Sequence, residues 1–548
     1  VALSHKKKNM KKLVLLVLVL AFQLGNAQIQ DAWVFFADKE NVQVSIDNPL
    51  TILTQEAIDR KTLHEVPIDE RDVPVTESYI TQIKNASGIT YWAKSKWMNC
   101  VYVQGTIPDI EALLNLSFVV DIEWADKDLN FPNPIGTASD KFAVENQNSR
   151  IDYNYGAAAN QIEMIEGDYL HELDFTGEGM VIGVTDSGFP SFVSNPAFSH
   201  VVNNNRLLGT FDFFSRTTNV EGTGQHGVNT TSDIVGFLEN EFVGTAPNAS
   251  LYLFRTEYGP DENPREEAWY VEALERADSL GVDVINTSLG YQEYDNPNYS
   301  HTYEDLNGIT TFAARGANLA FEKGMILVTS AGNAGNGFGT VGTPADAIGL
   351  LAVGAVNSAG NYATFSSRGP TVDGRIKPDV MAQGQGSAVI RDNGTVDFSN
   401  GTSFSSPILA GAVTCLWQSK PEAKNYEIMQ IVRETASLYN TPTDQMGYGI
   451  ANFRDAYNAL HNLGFEDQFL NDNFAVYPNP VKDVLNISFP QGVTNAEITI
   501  YNILGKEVMK TEVSSSGNQI FLSSLPQGIY IANVVAEETK NSFKIIKQ

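Results

Sequence analysis

Between residues 180 and 354 the chain repeats one arrangement: a helical stretch, a glycine, then a short apolar run without polar alternation. The apolar runs cover 180–185, 249–255, 282–286, 325–329 and 350–354. Helical stretches at 266–280 and 309–323 are stopped by Gly281 and Gly324 just before the next run. A strand that is apolar on both sides must be covered on both faces, and a glycine closing the helix ahead of it marks a crossover connection. Such repeats imply right-handed crossovers and an α/β fold, a parallel sheet covered by helices on both faces. Sheets of this kind bind ligands at the carboxyl ends of their strands. Asp186 and the turn after Thr329 both fall there.

At 548 residues the chain exceeds one ordinary domain, and its length suggests about three or four. Lys6 to Lys8, Lys11 and Lys12 precede an apolar run at 13–22, and Gly25-Asn26-Ala27 offers a small-residue cleavage site, so 1–27 reads as a signal peptide with an upstream extension, Met10 being a candidate start. The apolar run is too short to span a bilayer. Residues 28–126 read as a small α+β unit and 127–154 as an exposed polar linker, a natural site for proteolysis. The repeated α/β pattern belongs to a domain at 155–462. After a linker at 463–472, residues 473–548 hold short strands punctuated by Pro478-Asn479-Pro480, Pro490-Gln491-Gly492 and Pro526-Gln527-Gly528, a small β-sandwich. The formal charge of −29 is spread along the chain, which argues against nucleic acid and anionic membranes as partners. Two cysteines, Cys100 and Cys415, give neither a disulfide framework nor a set of metal thiolates.

One stretch carries candidate chemistry: Asn400-Gly401-Thr402-Ser403-Phe404-Ser405-Ser406-Pro407, followed by the apolar run 408–413. It places a serine at the start of a buried helix, where unpaired N–H groups and the positive end of the dipole collect. Pro407 is expected early in that helix, where no N–H is needed. Ser403 could attack a carbonyl, or it could simply cap the helix. Three further residues have the same double reading. His226 lies between backbone-sized neighbours in Gly222-Thr223-Gly224-Gln225-His226-Gly227, Asp186 ends a buried strand, and Asn333 sits in Ser330-Ala331-Gly332-Asn333-Ala334-Gly335. A structural histidine, a helix or turn cap and a turn residue would be their ordinary roles. Together they offer what a nucleophilic serine needs: a base, a group orienting that base, and an amide for the oxyanion.

Asp, then His, then Ser is also the chain order of subtilisin, and here the sequence resembles the subtilisin-like serine peptidases over about 155–460. Val184-Thr185-Asp186-Ser187-Gly188 matches the aspartate motif. Gly401-Thr402-Ser403-Phe404-Ser405-Ser406-Pro407 matches Gly-Thr-Ser-Met-Ala-Ser-Pro with two changes, and Ala331-Gly332-Asn333 matches the oxyanion segment. The family's His-Gly-Thr-His-Val becomes His226-Gly227-Val228-Asn229-Thr230, which keeps the histidine and alters the packing beside it. The resemblance implies that His226 takes the proton of Ser403, that Asp186 orients the imidazole, and that Asn333 with the Ser403 N–H binds the oxyanion. Substrate backbone would lie along Ser288-Leu289-Gly290. No cofactor is implied for catalysis. A structural calcium ion is not assignable, because the loop at 238–243 looks short, and no metal ligands are named.

Residues 28–126 resemble the inhibitory propeptides of this family, best at 118–126, which puts processing between 127 and 155 and leaves the two cysteines on separate chains. The last unit resembles the sorting domain of the type IX secretion system, through Val476-Tyr477-Pro478-Asn479-Pro480, Ile500 to Lys506, Leu525 to Tyr530 and the basic end at 544–547. The implied partners are polypeptide substrates, the chain's own propeptide as inhibitor, and the type IX machinery, with no nucleic acid. The implied location is secreted or on the outer-membrane surface, via the periplasm. The competing reading is a catalytically silent subtilisin-like scaffold that binds a surface; competent residues at all four catalytic positions argue against it.

Overall fold

The structure, a computed structural model, describes residues 29–130, 153–461 except 223 and 336, and most of 475–547. The expected signal peptide at 1–27, the linker at 463–472 and residues 131–152 of the processing region lie outside the described residues. The chain divides into two compact units, Val1–Tyr457 and Asn458–Gln548.

The first unit opens with four antiparallel strands, β1 (Ile29–Phe36), β2 (Thr90–Ser95), β3 (Cys100–Thr106) and β4 (Val119–Trp124), in the order β2-β3-β1-β4. Helix α1 (Gln55–Leu63) starts at Thr54, whose side chain accepts the Ala57 N–H. Helix α2 (Glu77–Asn85) turns Ile80 and Ile83, three apart on one face, into an apolar cluster with Val34, Val101 and Val103.

The larger part is built on β5 (Val181–Asp186), β6 (Leu207–Asp212), α3 (His226–Val235), β7 (Ser250–Arg255), α4 (Arg265–Ser279), β8 (Val284–Thr287), α5 (Phe312–Glu322), β9 (Ile326–Ser330), β10 (Leu351–Val356) and β11 (Val380–Gln383). Its seven strands lie in the order β11-β10-β9-β8-β5-β7-β6, every neighbouring pair parallel. The five apolar runs of the sequence are its inner strands. The two edges were not expected: β6 is half-buried, and β11, though buried, is only four residues long and ends in Gln383. A hairpin of β12 (Gln385–Ile390) and β13 (Val396–Asn400) leads into helix α6 (Thr402–Gln418), which crosses β8, β9 and β10. Ser406 pins it there, donating to Asn286 Oδ1 at 2.8 Å and to the Val328 carbonyl at 3.2 Å.

On the other side of the sheet, α4 and α5 carry the N-terminal strands. Glu275 on α4 accepts from Ser95 Oγ (2.5 Å) and from the N–H groups of Lys96 (2.8 Å) and Trp97 (2.9 Å). Trp33 of β1 stacks on Phe312 of α5 at 4.9 Å. Beside them, Arg60 and Lys61 of α1 both reach Asp278 Oδ1, at 2.5 and 2.7 Å. Lys61 also pairs with Asp72 (3.2 Å), and Lys323 with Asp72 (2.7 Å) and Asp69 (2.9 Å), so three cations meet three carboxylates, nearly all out of water. Cys100 and Cys415 are free and buried.

In the second unit, Ala475–Tyr477, Val484–Ser488 and Gln519–Phe521 form one antiparallel sheet. Glu507–Ser514, Asn495–Asn502, Gly528–Ala536 and Thr539–Lys547 form another, in that order. Leu485, Ile487 and Ile520 from the first share one apolar core with Ile498, Ile500, Ala532 and Val534 from the second. The strand Glu507–Ser514 was missed, since Glu507, Lys510 and Glu512 break up its apolar residues.

Candidate active site

Asp186 closes β5 and is fully buried. Its Oδ1 accepts from the Ser187 N–H at 2.7 Å and the Ser187 hydroxyl at 3.2 Å. His226 Nδ1 stands 2.8 Å from Oδ1 and 3.0 Å from Oδ2. A carboxylate can only accept, so Nδ1 carries the proton and Nε2 is left with its lone pair. His226 is the first residue of α3, and glycine must follow it: a Cβ on Gly227 would stand 2.3 Å from the Gly188 carbonyl oxygen. The imidazole is about one-third exposed, with 35% of its side-chain surface accessible. The Asp186 charge raises its pKa above the ordinary 6.5, outweighing desolvation.

Ser403 is reached through Gly401, whose φ of 154° and ψ of 150° lie in a region essentially reserved for glycine. Within α6 only Ser403 and Gln418 escape full burial, so the first turn presents one hydroxyl to the outside. Pro407 is not at the helix start, as expected, but six residues in. It therefore has no N–H for the Ser403 carbonyl, four residues back. Ser288 supplies the missing donor, its Oγ giving a 2.9 Å bond to that carbonyl. In return Ser403 Oγ donates to the Ser288 carbonyl at 3.3 Å, and not to His226. The next residue, Phe404, packs its ring 6.0 Å from the His226 ring. Ser405 donates back to the Thr402 carbonyl at 3.0 Å, and a Cβ on Gly384 would lie 3.3 Å from its own, a space that suits a small side chain.

Asn333 follows β9. Its Oδ1 accepts from the Thr402 N–H at 2.9 Å and the Thr402 hydroxyl at 3.1 Å. A backbone N–H can only donate, which settles the amide's orientation and leaves its NH₂ for another acceptor. Leu289 is buried and Gly290 exposed beyond β8, and Tyr291 N holds the segment to the Thr343 carbonyl at 2.8 Å. The structure thus joins Asp186 to His226, and Ser288 to Ser403, and ties Asn333 to the turn that carries Ser403. Sequence reading passed over Thr230, whose hydroxyl donates to Asp186 Oδ2 at 3.0 Å; its position four residues after His226 was the available signal. Among the described residues no group of three or more His, Cys, Asp or Glu could hold a metal ion. The 238–243 loop is a hairpin, Phe237–Leu238 against Phe242–Val243.

A buried acid holding a histidine at the carboxyl edge of a parallel sheet, beside a serine on a helix N-terminus, is the arrangement of an α/β serine hydrolase. Residues 177–449 match the model of the subtilase family, 31–143 a peptidase S8 propeptide domain of Bacteroidota, and 475–548 a secretion system C-terminal sorting domain. Subtilisin E of Bacillus subtilis (strain 168) is 31% identical over 300 residues, 54% of this chain and 70% of that protein. The subtilisin of Bacillus pumilus is 30% identical over 300 residues, 54% of this chain and 97% of the relative. The human membrane-bound transcription factor site-1 protease is 28% identical over 310 residues, 55% of this chain but only 27% of that protein's length. The chain belongs to the subtilase family. No helix among the described residues is long and apolar enough to cross a membrane.

Proposed function

We propose that the protein is a secreted serine endopeptidase, made as a precursor, that cleaves peptide bonds through Asp186, His226 and Ser403 and an acyl-enzyme. The observation that carries this reading is the Asp186-held imidazole at the head of α3, packed against the first turn of α6 where Ser403 is the one accessible residue. On substrate binding the Ser403 hydroxyl leaves the Ser288 carbonyl and gives its proton to His226 Nε2 as its oxygen attacks the scissile carbonyl. The imidazolium, stabilised by Asp186, then protonates the leaving amine, and water hydrolyses the ester. Asn333 and the Ser403 N–H stabilise the oxyanion, and substrate backbone lies along Ser288-Leu289-Gly290. The unit at 28–126 acts as the inhibitor, with processing between 127 and 155. The C-terminal unit directs export by the type IX machinery through the periplasm, to release or to the outer-membrane surface. Extended polypeptides are the substrates.

A fluorophosphonate probe tests this: the processed protein becomes labelled, and peptide mapping finds the phosphonate on Ser403. Processed protein that takes up no label would instead make the chain a silent scaffold. Asn333→Ala is expected to lower kcat by about 10²–10³-fold with KM little changed, because its NH₂ meets the oxygen only after charge develops there; a pure KM effect would remove it from the oxyanion site. Base catalysis needs neutral His226, and Asp186 raises its pKa. Activity should therefore fall on acidification with a midpoint above the ordinary imidazole value of about 6.5. A kcat/KM profile with its acid midpoint below that value would contradict the pairing.

A further inference from the structure

We infer that Thr230 is a positioning residue that sets the basicity of His226 through its hydrogen bond to Asp186. The inference rests on Asp186, His226 and Ser403 acting as proposed. His226 and Thr230 stand four residues apart on α3 and so share one face of it, turned toward one carboxylate. In the family motif this position is valine; threonine keeps nearly the same shape and replaces a methyl with a hydroxyl. Thr230 has no exposed surface, so that hydroxyl needs a partner. Two acceptors are within reach, Asp186 Oδ2 at 3.0 Å and the Gly227 carbonyl at 3.2 Å. The Gly227 carbonyl is already served by Thr231 at 2.6 Å. The single proton of Thr230 therefore goes to the carboxylate, where the bond is charge-assisted.

With it, Asp186 is held on both oxygens: the Ser187 N–H and hydroxyl on Oδ1, Thr230 on Oδ2, and His226 bridging the two. Each donor draws charge from the carboxylate and weakens its hold on an imidazolium. Thr230 thus lowers the His226 pKa from the value Asp186 alone would impose, and keeps the base neutral further into acid. The other charges facing the pair come from the end of β7. Glu257 lies within electrostatic reach of Asp186, and Arg255 donates to the Ser187 carbonyl at 3.0 Å while paired with Asp212 at 2.8 Å. From α6 the neighbour is Phe404, which does not titrate. All of these stay in place when Thr230 changes.

The test compares the processed wild-type protein with Thr230→Val and Thr230→Ser, following the rate of fluorophosphonate labelling against pH. Thr230→Val should move the acid limb up by about half a unit to one unit, with the plateau rate within about threefold of wild type. Thr230→Ser, which keeps the hydroxyl, should return the limb to the wild-type position. Superimposed limbs for wild type and Thr230→Val overturn the inference, as does a plateau loss without movement of the limb, or a serine variant that behaves like valine. Wild-type protein that is unlabelled at every pH refutes the peptidase reading itself, and this inference falls with it.

Discussion

Ser403→Ala is expected to reduce peptide hydrolysis on the order of 10⁶-fold while leaving the fold intact, since the nucleophile and base act as a unit and the loss of either removes most of what they achieve together. The side chain has little structural work to lose. Its one bond, to the Ser288 carbonyl, is long at 3.3 Å, and the Ser403 backbone carbonyl keeps its 2.9 Å bond from Ser288 Oγ. The helix start depends on Gly401, Thr402 and Asn333, all of which remain. The variant should therefore melt like wild type, take up no phosphonate, and accumulate as an uncut chain when it is the only copy present. Residual hydrolysis within about tenfold of wild type would move the nucleophile elsewhere.

Asp278→Ala should be the most damaging single change on the face that receives the N-terminal sheet. Arg60 and Lys61 are 4% and 1% exposed, and both direct a charged nitrogen at one Asp278 oxygen. Lys61 retains Asp72, but Asp72 must also serve Lys323, and Arg60 is left with only the Lys323 carbonyl at 3.2 Å. Arg60 would then hold a buried positive charge with no carboxylate partner. Breaking a buried pair from one side costs about 3–5 kcal/mol. Binding of the separate N-terminal unit to the processed peptidase, followed by calorimetry, should weaken by about two to three orders of magnitude. An unchanged affinity would show that the cluster is solvated in solution.

How far the sequence could be read depended on whether each residue's role was local. Inner strands face helices on both sides, so their burial shows as unbroken apolar runs, and the parallel sheet followed. The edges β6 and β11 meet solvent or end after four residues, and left no such trace. Asp186, His226, Ser403 and Asn333 were legible because glycines crowd their flanks, and those glycines answer to close backbone approaches of the kind seen at Gly227 and Gly401. Pro407 was misplaced within its helix because the compensation comes from Ser288, 115 positions away from Ser403. The pairing of Arg60, Lys61 and Lys323 left no mark in the sequence for the same reason: their partners lie on other elements. Thr230 matters only through Asp186, 44 residues earlier.

The bonds that seat the N-terminal sheet on α4 and α5 all arise before residue 127, ahead of the stretch where the chain would be cut. Scission of that stretch breaks one covalent link and none of these contacts: Glu275 keeps its three donors, Trp33 its stack on Phe312, and Asp278 its two cations. Cutting and activation are then separate events in time. Under the proposed processing, the interval between them would be a clock set by escape of the severed fragment or its destruction.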